Sequence, residues 1–383
     1  MSFDHYIQSG GRRLRCGYTT GTCAALAAQA AARLLLTGRA PERVSLRTPK
    51  GWVVDVPVED PRMEGGTAFC SVTKDGGDDV DATHGLRITA AVSHHLGTGL
   101  LLQGGPGVGR VTRPGLDQPV GEWAINSVPR QMIFQAVDDV RRTLDAPGGL
   151  LITLSVPGGQ KAAQKTFNPH LGVEGGISIL GTSGIVEPMS LQALVDTLTL
   201  ELRQAAASGA RRLILTPGNY GMAFLRGGTL DLPPGIPVIR CSNFVGEALD
   251  SACLEGFQDI LLVGHIGKFV KLAAGILNTH SRWADGRAEI FCAHAALCGA
   301  DQATVRALMN SATADRCLEI LGKQGLREPV LASLLSAIQA RLDRRVGEGP
   351  RTGAVLFSNQ YGLLGWTQGA KEIMHTWNKP TQP

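Results

Sequence analysis

GISILGTSGIVEPMS (Gly176–Ser190), RRLILTPGNYG (Arg211–Gly221), IPVIRCSNFVG (Ile236–Gly246) and DILLVGHIGKFVKLAAG (Asp259–Gly275) each run a short apolar strand into a glycine-rich or polar turn. The first is followed by a helical stripe of Leu191, Leu194, Val195, Leu198, Leu202 and Ala205. Strands alternating with helical periods read as βαβ units around a parallel sheet. Such sheets hold ligands just beyond the carboxyl ends of their strands. Here those ends carry Thr182, Ser183, Thr216, Asn219, Ser242, Asn243, His265 and Lys268. That edge is the expected active site.

Upstream the texture changes. A helix is expected over Thr22–Leu36, stopping before Gly38, which suits a left-handed C-cap. Extended runs follow at Val44–Pro49, Trp52–Val58, Thr67–Lys74, Arg87–His95 and Gly99–Gly105. Their β-branched, period-two pattern predicts a mixed or antiparallel sheet. Val128–Leu144 reads as a helix and Gly149–Gly159 as a further strand. Dividing the chain in the loop FNPHLGVEGG (167–176) gives a two-layer α+β domain, residues 1–173. Residues 174–383 then form a Rossmann-like α/β domain with a mostly parallel sheet. Asp285–Gly347 is expected to be mostly helical, and AVLFSNQYGLLGW (Ala354–Trp366) to be a closing strand.

A chain of 383 residues with 43% apolar content has material for two cores. Its formal charge of +4 is too small and too dispersed for a nucleic-acid stripe, and leans towards an anionic small ligand. Eight cysteines without a CxxC pair do not support a zinc ribbon or a thioredoxin-like site; buried free thiols in a reducing compartment are expected. The opening residues lack an apolar signal core, and the apolar runs are too short to span a bilayer. The expectation is a soluble, cytoplasmic protein with no membrane or nucleic-acid partner; a homo-oligomer is left open.

Several motifs carry two readings. GYTTGTCAA (Gly17–Ala25) opens an alanine-rich helix, so its threonines either form an anion nest or simply cap the helix. GTSGIVEPMS (Gly181–Ser190) lacks the GxGxxG spacing, yet its glycines permit close backbone approach, and Glu187 offers an acceptor. Against that stands a tight loop capped by Ser190. GHIGKF (Gly264–Phe269) fails as a P-loop because Leu262 replaces the first glycine and Phe269 the magnesium-binding hydroxyl. KDGGDDVDATHG (Lys74–Gly85) does not fit calcium-loop spacing, and a solvated turn is favoured over a metal site. Of nine histidines, His265 and His280 fall in the strand-end region.

Taken in order, LRCGYTTGTCAA, KDGGDDVDATHG, GPGVGRVTRPGL, VGEWAINSVPR, SVPGG, KTFNPHLGVEGGISILGTSGIVEPMS, LTPGNYG, CSNFVG and GHIGKFVKLAAGILNTHS resemble the cobalt-precorrin-5B (C1)-methyltransferase family of anaerobic cobalamin biosynthesis. Trp123 and Ser127 stand where that family is expected to have prolines. The resemblance implies transfer of the S-adenosylmethionine methyl group to C-1 of a ring-contracted cobalt tetrapyrrole, giving cobalt-precorrin-6A. Cobalt would enter only as part of the substrate, with no protein-bound metal. On this reading the donor site takes Gly181, Thr182, Ser183, Gly184, Asn219, Tyr220, Ser242 and Asn243. His265 or Glu187 would adjust ring protonation. Thr19, Thr20, Thr22, Lys74, Arg113, Arg130, Lys268, Lys271 and His280 would meet the carboxylate arms. Two alternatives stay open: a tetrapyrrole carrier without catalysis, and a nicotinamide-dependent reductase of the same pathway.

Overall fold

The computed structural model describes residues 3–9, 11–169 and 171–379. It divides into two compact units, Met1–Leu191 and Gln192–Pro383. Both mix helices with sheets, and both contain parallel strand pairs.

The first unit is built on a five-stranded sheet in the order 59–64, 67–73, 87–95, 149–155, 100–104. All neighbours are antiparallel except the last pair. Helices Thr20–Thr37 and Ser127–Thr143 contact each other and that sheet. From Thr20 to Ala28 every residue of the first helix is buried. Alanine makes this possible, because a helix apolar all round belongs inside, and small side chains let it approach a sheet closely. Gly38 ends the helix at φ +72, the left-handed cap that its sequence predicts.

The second unit holds a sheet in the order 238–240, 212–216, 259–265, 351–358, 362–366. The first four strands are parallel and the last is antiparallel. Strand Asp259–His265 is buried from Asp259 through Gly264, the continuous burial expected of a central parallel strand. At its amino end Asp259 accepts from Arg351 Nε (2.7 Å) and Trp377 Nε1 (2.8 Å), so each carboxylate oxygen has a donor. The expected closing strand is a hairpin, since Asn359–Tyr361 turn the chain back, and a further helix, Gln368–Trp377, covers it. The helical stretch resolves into helices 287–297, 302–309, 314–323 and 327–346, with Gly347 just past the end.

One expectation is corrected. The segment 174–190 belongs to the first unit, and the division falls at 191/192 instead of 173/174. Gly176–Ile177 pairs with Gly107–Val108, and Ile185–Val186 with Gly17–Tyr18. Neither joins the large parallel sheet. The helix that follows, Leu191–Ala207, buries Leu198, Leu202 and Ala206 in the second unit's core, while Leu191 and Leu194 stay exposed.

Candidate functional site

The carboxyl edge of the second unit's sheet gathers most of the chemistry. His265 is the last residue of its strand and the N-cap of helix Ile266–Ala273: its Nδ1 accepts from Gly267 N at 3.1 Å. The proton of the neutral ring therefore sits on Nε2, so His265 presents a donor and not a free lone pair. Its ring stands edge-on to Phe357 (5.6 Å) and 6.1 Å from Tyr220, which is well exposed. Burial pushes the His265 pKa below its ordinary value, against a smaller upward pull from Asp315.

Asp315, which the sequence reading did not single out, lies close enough to His265 to act on its charge. It lies in the first turn of helix Ala314–Lys323 and accepts from Ser358 Oγ at 2.6 Å. Ser358 is the end of strand Arg351–Ser358, so two distant segments meet at this edge.

One helical turn after His265, Lys268 is half-buried, and its ammonium makes no hydrogen bond or ion pair with any described residue. Burial depresses its pKa; neighbouring Cys241, on which the thiol is itself pushed up to about 12 by burial, pulls the other way, and Lys271 adds to the depression. Arg240 closes the edge strand and is exposed. Ser242 takes φ +53, a left-handed conformation uncommon for a non-glycine residue. Asn243 bonds through its carbonyl and side chain to Thr279, at 2.9 and 3.2 Å. Asn219 and Tyr220 are exposed at the start of helix Asn219–Arg226. Thr216 Oγ1 is buried without a partner among the described residues, wedged where a Cβ on Gly221 would overlap it.

Lys271 is not available to a ligand. It is 2% exposed, and its ammonium donates to Thr279 O (3.1 Å) and Ala284 O (2.9 Å), with Asp285 at 3.7 Å. It pins the 279–285 segment instead. His280 is exposed, and its Nδ1 accepts from Arg282 N at 3.1 Å.

The remaining expected residues lie in the first unit, and most are committed. The threonine turn is a closed helix cap. Thr19 Oγ1 accepts from Thr22 N (3.3 Å), Thr22 Oγ1 donates to Gly184 O (2.7 Å), and Gly21 N donates to Leu180 O (3.0 Å). Thr20 Oγ1 reaches the carbonyls of Ser178 and Leu180 and accepts from Leu180 N. Thr19, Thr20 and Thr22 are buried, so the capping reading replaces the anion nest. The GTSG loop is the other half of this contact. Gly181 and Gly184 have positive φ, and a Cβ on either would run into Thr19, Thr22 or Thr48. Ser183 bonds to Ile185 of its own turn, and Thr182 is exposed. These four residues therefore brace the first unit and do not stand at a strand end of the parallel sheet.

Glu187 is paired with Lys50, which also lies over the Trp52 ring at 4.8 Å. Arg130 Nε donates to Ile125 O at 2.7 Å and steadies the turn before its own helix. Arg113 is exposed and lies against Gly172. Trp123 stacks under Arg110 (3.9 Å), and Ser127 bonds to Asp117, so side-chain contacts stiffen a loop where prolines were expected.

Lys74 is 3% exposed and paired with Asp81. Burial raises the Asp81 pKa, but the Lys74 charge and Thr83 hydrogen bonds outweigh it and hold the carboxyl below its ordinary range. Asp75 is held low chiefly by its two bonds from Arg15, at 2.5 and 2.9 Å. A cavity of about 190 Å³ lies among Tyr18, Glu59, Lys74, Asp75 and His84. The loop is a turn with Asp78, Val80, Ala82, His84 and Gly85 exposed, as the sequence reading expects, and the Lys74–Asp81 and Arg15–Asp75 pairs anchor it.

The fold and this edge define a two-unit mixed α/β protein whose parallel sheet ends at the donor of His265 and at Lys268, unpaired among the described residues. The family model described as CbiD matches residues 7–188, and that described as CbiD, C-terminal domain, matches residues 278–368. The first ends within a few residues of the boundary between the units. A cobalt-precorrin-5B C(1)-methyltransferase of Ruminiclostridium cellulolyticum is 45% identical, over 93% of this chain and 92% of its own. One from Alkaliphilus metalliredigens is 42% identical over 97% of both, and one from a Thermoanaerobacter species 48% over 84% and 86%. A crystal structure of the cobalamin biosynthesis protein cbiD from Archaeoglobus fulgidus is 31% identical and covers 74% of this chain and 87% of that one, with a TM-score of 0.40. The chain belongs to the CbiD family.

Proposed function

We propose that this chain transfers the methyl group of S-adenosylmethionine to C-1 of cobalt-precorrin-5B, giving cobalt-precorrin-6A in anaerobic cobalamin biosynthesis. The relatives that span nearly its whole length carry the name of that C(1)-methyltransferase. In the site, the carrying observation is Lys268, an ammonium kept half-buried without a partner among the described residues, three residues on from the neutral donor of His265. Such a group is costly unless an anion completes it. The substrate, a macrocycle with carboxylate arms, supplies that anion.

In this reading the second unit is Rossmann-like and holds the donor at the ends of strands 212–216, 238–240 and 259–265. Asn219 and Ser242 have side chains free of hydrogen bonds to described residues, and Tyr220 offers an aromatic face. They fit the ribose, base and amino-acid groups of the donor. The new C–C bond forms from the electron pair of ring carbon C-1 while the S–CH3 bond breaks and its pair returns to sulfur. A cation becomes a neutral thioether, so alignment and exclusion of water do more than a strong base. The structure fits that economy: the His265 Nδ1 lone pair is engaged and the Glu187 carboxylate is held by Lys50. His265 positions an acceptor atom of the substrate through Nε2–H. Eight free thiols suit a reducing cytoplasm.

The test is direct. Purified protein, cobalt-precorrin-5B and methyl-labelled S-adenosylmethionine should yield a product with one labelled methyl, which NMR places at C-1. Binding of the pigment without label transfer would support a carrier instead, and pigment-dependent NADPH oxidation a reductase.

A further inference from the structure

The segment 277–285 is anchored at both ends at the carboxyl edge of the second unit's sheet. On one side it is stitched to the turn after strand 238–240: Thr279 N donates to Asn243 O (2.9 Å) and Val245 N to Leu277 O (3.1 Å). Beneath it the buried Lys271 ammonium donates to Thr279 O and Ala284 O. Arg287 in turn fixes Asp285 with two bonds, at 2.5 and 2.8 Å. Burying an ammonium costs stability, and here its hydrogen bonds go into fixing backbone. Yet the segment carries Trp283 with 66% of its surface in water. The other four tryptophans are buried or half-buried. An exposed indole on a loose loop needs no account; one on a short segment hydrogen-bonded at both ends is a presented surface.

Its neighbours sharpen the chemistry. Arg282 and His280 are exposed beside it, the histidine ring oriented by its bond from Arg282 N, and neither makes an ion pair with a described residue. A flat apolar face flanked by cationic and donor groups matches a flat conjugated ring with anionic arms. We propose that Trp283 is a stacking platform for the tetrapyrrole, with Arg282 and His280 meeting carboxylate arms at its rim. This rests on the methyltransferase reading above and names how its acceptor is recognised.

Cobyrinic acid, a stable cobalt corrin with free carboxylates, serves as the probe on the full chain. Its binding should quench tryptophan emission, and Trp283→Phe should remove most of the quenched signal while keeping the Kd, read by calorimetry, within about threefold. Trp283→Ala should weaken the corrin about tenfold, the loss of one aromatic stack. Its thermal midpoint and its affinity for S-adenosylhomocysteine should match the wild type, since the residue is exposed. Trp283→Ala binding the corrin as tightly as the wild type overturns the platform, even if the wild type transfers methyl to cobalt-precorrin-5B. A wild type that binds the corrin through Trp283 but transfers no methyl overturns the enzymatic reading and leaves the platform standing.

Discussion

At the scale of single residues, His265 shows how a backbone bond decides chemistry. Burial disfavours the charged ring, and protonating Nδ1 would in addition remove the helix cap that it makes with Gly267 N. The folded pKa is therefore below the unfolded 6.5. The unfolded chain binds the proton more readily, so stability is complete above about pH 6.5 and falls as pH drops towards the folded value. His294 is lowered by burial with the same sign. His265→Asn keeps a capping acceptor and deletes one of these two titrations. The difference in urea midpoint between pH 7.5 and pH 5 should shrink in the variant; an unchanged difference would show that His265 does not couple to folding. The place of His265 at a strand end, and of Lys268 in the first turn of the helix after it, was legible because both follow an apolar run that reads DILLVG. Asp315 and Ser358 were not, since a helix start and a distant strand end share an edge only once the sheet is assembled.

At the scale of elements, alternation located strands 212–216, 238–240 and 259–265 and the turns after them. It failed for Gly176–Ser190, which has the same local appearance but pairs with residues 17–18 and 107–108. Local pattern specifies that a strand forms, while partner choice depends on residues far off in the chain. The glycines of GTSG were read as room for a ligand; the room is filled by Thr19, Thr22 and Thr48. Lys271 was likewise read as a contact for the carboxylate arms, because burial of a long charged side chain leaves no mark in sequence. Its role gives an element-scale prediction. In Lys271→Met, Thr279 O and Ala284 O lose their donor, at about 1 kcal/mol each. Segment 277–285 should then open more easily by about 2 kcal/mol, a roughly thirtyfold rise in amide exchange at Thr279 and Trp283. Exchange there at the wild-type rate would mean that the stitching to Asn243 and Val245 holds the segment alone.

At the scale of the whole molecule, a charge of +4 on 383 residues is too dilute to draw in a polyanion by its overall field. Attraction must come from local groups whose charge no carboxylate cancels. Most arginines in ion pairs are spent on neighbours, as Arg15 is on Asp75 and Arg345 on Asp250. Lys268 at the sheet edge and Arg282 beside Trp283 are not so matched among the described residues. The KM for cobalt-precorrin-5B should therefore rise with potassium chloride, because salt screens exposed charge within about 10 Å at 0.1 M. The KM for S-adenosylmethionine, a cation, should not follow it. Lys268→Met should raise the substrate KM at low salt by roughly tenfold, as for one lost charge-assisted contact, and flatten its salt dependence. The same variant should unfold at a higher temperature, since the depressed pKa of Lys268 marks a charge that burial disfavours in the free protein. A higher midpoint with an unchanged KM would place the carboxylate arms elsewhere, whereas a lower midpoint would mean that the ammonium holds the fold and not the substrate.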